Sequence, residues 1–103
     1  MKKKWLLLSL IGFLVSCSKQ ESMDALTARV FTVAEQQYLT MDTRLEVTTL
    51  PQSIASDSTF KSSTIYWWCS GFYPGSLWYI YEYTQNEAVK TLAEKNTLKL
   101  DPI

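Results

Sequence analysis

The residues best suited to chemistry fall in two places. Near one end, Cys17 closes the run Leu14-Val15-Ser16-Cys17: an aliphatic residue, two tolerated positions ending in a small one, then a cysteine. A lipobox of this kind works through its thiol, which takes up a diacylglycerol. Cleavage before Cys17 frees an amine that is usually acylated in turn. Two or three acyl chains hold a protein on a bilayer where one would not. The second place is an aromatic block. Nine of the fourteen aromatic residues lie between 66 and 83: Tyr66, Trp67, Trp68, Phe72, Tyr73, Trp78, Tyr79, Tyr81 and Tyr83. Exposed aromatics are a mark of binding surfaces. Other chemistries are excluded by composition. The chain has no histidine, which removes a Ser-His-Asp triad and His-ligated zinc. Its two cysteines, one of them in the lipobox, cannot build a disulfide framework. Cys69 stands without a histidine or metal partner and reads as an inert small residue. Asp24, Asp42, Asp57 and Asp101 read as solvated surface or turn residues.

The segments around these residues can be read from their composition. Lys2, Lys3 and Lys4 precede the apolar run Trp5 to Val15, a basic head and short apolar stretch typical of a secretory signal. The run is too short to span a bilayer comfortably. The ten Lys+Arg and ten Asp+Glu balance formally. Removal of residues 1–16 takes away three cations and leaves 87 residues, with seven cations against ten acids and a balance of −3. A mildly acidic chain has no electrostatic footprint for nucleic acid. The expectation is a signal peptide over 1–16, a tether over 17–22 and one small domain from 23 to 103. Ser18 gives no inner-membrane retention signal, so the expected location is the bacterial cell envelope, lipid-anchored at the outer membrane.

Ser22 is placed to cap a helix, and Met23 to Met41 contains neither Gly nor Pro. Leu26, Val30, Val33, Gln37 and Met41 recur at helical spacing, with Phe31 and Ala34 widening the stripe. Residues 40–64 include eleven Ser or Thr and the pair Leu50-Pro51, a loop signal with weak β tendency. Local propensity in the aromatic block leans towards strand, although Pro74 would be tolerated in a first helical turn. From Asn86 onwards the chain reads as a second capped helix. Val89, Leu92, Ala93 and Asn96 fall on one face, and lysines favour the later turns.

The order of residues from Trp68 to Thr84 resembles the segment W-x-x-G-F-x-P-G-x-L-W-x-x-Y-E-Y-T of glycoside hydrolase family 88, the unsaturated glucuronyl hydrolases. Leu50-Pro51-Gln52-Ser53 is similar to an L-P-R-S stretch upstream of it, and Asn86 to Thr97 is similar to the helix that follows. Unsaturated rhamnogalacturonyl hydrolases are the near alternative. The resemblance covers roughly residues 23–100 and implies an all-α fold. The chain would supply the N-terminal portion, about three helices, of an (α/α)6 barrel. Residues from about Ser70 to Thr84 would then be helical.

The implied reaction removes a 4,5-unsaturated uronic acid from the end of an acidic oligosaccharide by hydrating its vinyl ether. The resemblance implies no cofactor and no metal. It places a substrate-stacking tryptophan at Trp68, where an indole offers a sugar ring a large apolar face of fixed geometry. Phe72 and Trp78 would be core, and Gly71 and Gly75 would allow close helix approach. Trp67 departs from the family, which usually has Asp there. The catalytic Asp lies in an H-D-x-G-F stretch that this sequence does not contain, so the resemblance carries a catalytic role onto no residue here. The expectation is an inactive N-terminal fragment of a lipid-anchored hydrolase. The rival reading is a non-catalytic surface lipoprotein that binds glycan or a partner through the aromatic block.

Overall fold

The computed structural model describes residues 20–101. The signal peptide over 1–16 and Cys17 lie outside the described residues. Three helices and a two-stranded hairpin follow one another: α1 (Met23–Asp42), β1 (Thr49–Ile54), β2 (Phe60–Thr64), α2 (Phe72–Thr84) and α3 (Glu87–Leu98). No helix among the described residues is long and apolar enough to cross a membrane.

α1 begins where its cap predicts. The Ser22 hydroxyl accepts from the Ala25 N–H at 3.2 Å, and Asp24 sits in the positive first turn. The buried face keeps Phe31, Ala34 and Met41 of the expected stripe and adds Tyr38, whereas Val30 and Val33 are exposed. Aromatic pairing sets this rotation. Phe31 stacks on Tyr83 at 4.0 Å between ring centroids, and Tyr38 on Tyr73 at 5.5 Å.

The all-α expectation is corrected between α1 and α2. Residues 49–64 form an antiparallel hairpin in which Thr49 pairs with Thr64, Pro51 with Ser62 and Ile54 with Phe60. The register slips between Pro51 and Ser53, an irregularity that bends the strand. Five residues, 55–59, connect the strands. The Ser58 N–H donates to the Ala55 carbonyl at 2.9 Å, and Ser58 takes the left-handed conformation at φ 66°. The Asp57 carboxylate accepts from the Thr59 N–H at 3.0 Å, and hydrogen bonding from Thr59, first its hydroxyl and then its N–H, holds the Asp57 pKa low. Leu50, fully buried, fixes the hairpin to the helices. The Lys99 ammonium fastens the base of β1 by donating to the Thr49 carbonyl at 3.0 Å.

α2 starts at Phe72, with Pro74 in the first turn, where a missing N–H leaves no intrahelical bond unmade. Its β-forming residues are held helical by packing against α3. Gln85 closes α2 in the left-handed region, its N–H donating to the Tyr81 carbonyl at 2.8 Å. Asn86 then joins two elements. Its Oδ1 caps α3 by accepting from the Ala88 N–H at 2.9 Å, and its Nδ2 donates to Glu35 of α1 at 2.8 Å. Tyr73, Leu77 and Ile80 of α2 meet Val89 and Ala93 of α3 in the core. Burying a side chain such as Leu77 contributes about 1.5–3 kcal/mol.

Candidate functional site

The aromatic block is held at the entrance to α2 by a succession of tight turns. The Trp67 N–H donates to the Thr64 carbonyl at 3.2 Å, Ser70 to Trp67 at 2.9 Å and Phe72 to Cys69 at 3.0 Å. These bonds carry the chain from the end of β2 into the helix and hold Trp67, Trp68 and Phe72 together. Trp68 meets Trp67 edge-on at 6.1 Å and Phe72 edge-on at 6.4 Å. Such edge-on contacts restrict the rings. Trp68 is 82 % exposed, so its indole face is open to solvent.

Trp67 and Phe72 line a cavity of about 320 Å³ with Tyr38, Met41, Gln52 and Tyr73. It is bounded by α1, β1 and the head of α2, and its walls mix apolar groups with the Gln52 amide and the Ser76 hydroxyl. Tyr73 is buried, and its hydroxyl donates to the Tyr38 carbonyl at 3.4 Å. Burial and the nearby Asp42 charge hold that phenol well above the usual tyrosine range, so it remains protonated. Cys69 also borders the cavity. Desolvation pushes its thiol upward, which leaves it a poor nucleophile.

Several expectations are corrected here. Phe72 is 68 % exposed and Trp78 38 % exposed, so neither is a core residue. Trp78 instead lies over α3 and donates its indole N–H to Thr97 at 3.0 Å. A Cβ placed on Gly71 or Gly75 would meet nothing within 4 Å, so no close helix approach requires them.

Asp42 was expected at the surface and is buried. Its carboxylate accepts from Lys95 at 2.8 Å and from the Asn96 amide at 2.9 Å. Burial alone would raise its pKa, but the Lys95 ammonium and the Asn96 amide outweigh that and hold it below the ordinary carboxylate value. Asp42 therefore ties the end of α1 to α3 and is no proton donor. Asp57, at the hairpin tip, is also held ionised. Among the described residues, no three His, Cys, Asp or Glu side chains come together to hold a metal.

Sequence reasoning missed the position of Arg44. It follows α1 directly and projects into a larger groove, of about 570 Å³, between α1 and the hairpin. The hairpin forms one wall of this groove, and the hairpin was not expected.

No family model matches the sequence. Over 31 residues the chain is 52 % identical to the unsaturated chondroitin disaccharide hydrolase of Streptococcus pneumoniae. The match takes in 30 % of this chain and spans 8 % of that protein. No solved structure matches. The similarity points to a glycosidase-like relationship and to nothing finer.

Proposed function

We propose that this chain forms the sugar-stacking part of a hydrolase that removes a 4,5-unsaturated uronic acid from an acidic oligosaccharide. The observation that carries the reading is the open aromatic trio at the head of α2, with Trp68 standing 82 % exposed against Trp67 and Phe72. A ring that is buttressed at its edges and open on its face suits the apolar face of a sugar. The partial similarity to a chondroitin disaccharide hydrolase supports the substrate class.

In the proposed reaction a carboxylic acid protonates the double bond, water adds to the neighbouring carbon, and the resulting hemiketal collapses to release the remaining sugar. The donor must be neutral before it acts, which requires a raised pKa. Asp42 and Asp57 are held on the opposite side of that requirement. The reading therefore assigns these helices to binding rather than proton transfer. The three helices take the place of the N-terminal portion of an (α/α)6 barrel. Its further helices would cover the exposed apolar residues Val30, Val33, Tyr79 and Leu98.

The proposal extends to location. Residues 1–16 direct export, and acylation of Cys17 anchors the protein in the bacterial envelope, at the outer membrane.

Calorimetric titration of the chain with unsaturated chondroitin disaccharide tests the reading. Saturable binding that is lost in Trp68→Ala is expected, with no decay of the vinyl-ether ultraviolet absorbance. Equal binding by the variant would overturn the role of Trp68. Turnover above a buffer control would overturn the assignment of the proton donor.

A further inference from the structure

The groove between α1 and the hairpin adjoins the aromatic cavity, with Met41, Pro51 and Gln52 lining both. Its volume, about 570 Å³, exceeds that of the cavity beside Trp67. The walls combine amides and a hydroxyl (Gln36, Gln52 and Thr40) with the ring of Phe60. Amides and hydroxyls exchange hydrogen bonds with sugar hydroxyls, and a half-buried ring offers a stacking face. Its charge is one-signed. Arg44 lines it, and no acidic side chain does. Arg29, Lys90 and Lys95 are each paired with a carboxylate, whereas Arg44 has no such partner within 4.0 Å among the described residues. A guanidinium without a carboxylate, set beside neutral donors and an aromatic ring, is suited to a planar or tetrahedral anion.

We propose that this groove is a second sugar subsite, in which Arg44 binds an anionic substituent (carboxylate or sulfate) of the ring next to the one stacked on Trp68. The inference rests on the stacking role proposed for Trp68 and adds a specificity-determining residue to it. Arg44 donates through its Nη and Nε hydrogens, Gln52 bridges the two subsites, and the ligand runs from the head of α2 across β1. The groove thereby favours acidic over neutral oligosaccharides.

The test is calorimetric titration of the full chain and its Arg44→Gln, Arg44→Lys and Trp68→Ala variants. Three probes are used: unsulfated unsaturated chondroitin disaccharide, its uronate methyl ester and its 6-O-sulfated form. Wild type is expected to bind at least one charged probe roughly 10-fold more tightly than the ester. Arg44→Gln is expected to abolish that preference with little change for the ester, and Arg44→Lys to restore part of it. Loss against the unsulfated probe alone would identify the carboxylate as the group bound. Loss confined to the sulfated probe would identify the sulfate. An unchanged preference in Arg44→Gln, or an equal loss for the ester, would overturn the subsite. If Arg44→Gln is silent while Trp68→Ala abolishes binding, only this inference fails. If Trp68→Ala is silent while Arg44→Gln removes the preference, the stacking role fails and the anion site stands. Absence of binding by wild type would overturn both.

Discussion

Replacing Asp42 with alanine removes the tie between the end of α1 and α3, and the structure sets the size of the effect. Asp42 is 8 % exposed and Asn96 fully buried, so their 2.9 Å bond is shielded from water. A hydrogen bond to a charged group in such surroundings contributes about 1.5–3 kcal/mol. The Lys95 side chain is 51 % exposed, so its 2.8 Å contact adds about 0–1 kcal/mol. Asp42→Ala should therefore destabilise by about 2–3 kcal/mol, and Lys95→Ala by about 1 kcal/mol or less. For a domain of this size 1 kcal/mol corresponds to roughly 4–8 °C in Tm. Urea denaturation at pH 7, followed by circular dichroism, measures both.

The pH dependence has a definite sign. The folded pKa of Asp42 lies below its unfolded value, so its contribution is complete above the unfolded pKa and is lost as pH falls through the folded one. The gap between wild type and Asp42→Ala should begin to narrow below about pH 4 and go on narrowing as pH falls further. A Lys95→Ala cost equal to that of Asp42→Ala, or a gap unchanged at pH 3, would refute the reasoning.

Ser58→Gly relieves a left-handed serine at φ 66° in the hairpin loop. It should stabilise by about 0.5–1 kcal/mol, read as an upward shift in Tm, once the greater freedom of unfolded glycine is set against the relief. Leu77→Ala empties a fully buried position between α2 and α3 and should cost about 2–5 kcal/mol in the same denaturation assay. Trp68→Ala, by contrast, should change stability by no more than about 0.5 kcal/mol because the ring is exposed, while binding is lost. Labelled palmitate should enter the protein in cells of a bacterial host and be absent from Cys17→Ala. Undiminished label in the variant would remove the lipid anchor from the account.

What the sequence revealed depended on how local the determining interaction was. Ser22 and Asn86 cap helices through bonds to residues two or three positions away, and both helix starts were legible for that reason. The hairpin was not. Its strands are short and rich in Ser and Thr. Its turn places Ser58 where a glycine or asparagine would have signalled the loop. The helical state of residues 72–84 contradicts their strand-forming composition and became legible only through a resemblance in the order of their residues. The burial of Asp42 was illegible because Lys95 and Asn96 stand 53 and 54 positions along the chain. The aromatic block was visible as a cluster, but the division within it was not. Tyr73 turned into the core, while Trp68 and Phe72 stayed outside.

The indole N–H resonances of the protein offer the most direct measurement of the central claim. Trp67 and Trp68 belong to the open trio, whereas the Trp78 N–H donates to Thr97 of α3. During titration with unsaturated chondroitin disaccharide in a two-dimensional nitrogen–proton spectrum, the Trp68 and Trp67 signals should move together and saturate, and the Trp78 signal should stay in place. Movement led by Trp78, or saturation with the Trp68 signal unmoved, would contradict the assignment of the head of α2 as a sugar-stacking site.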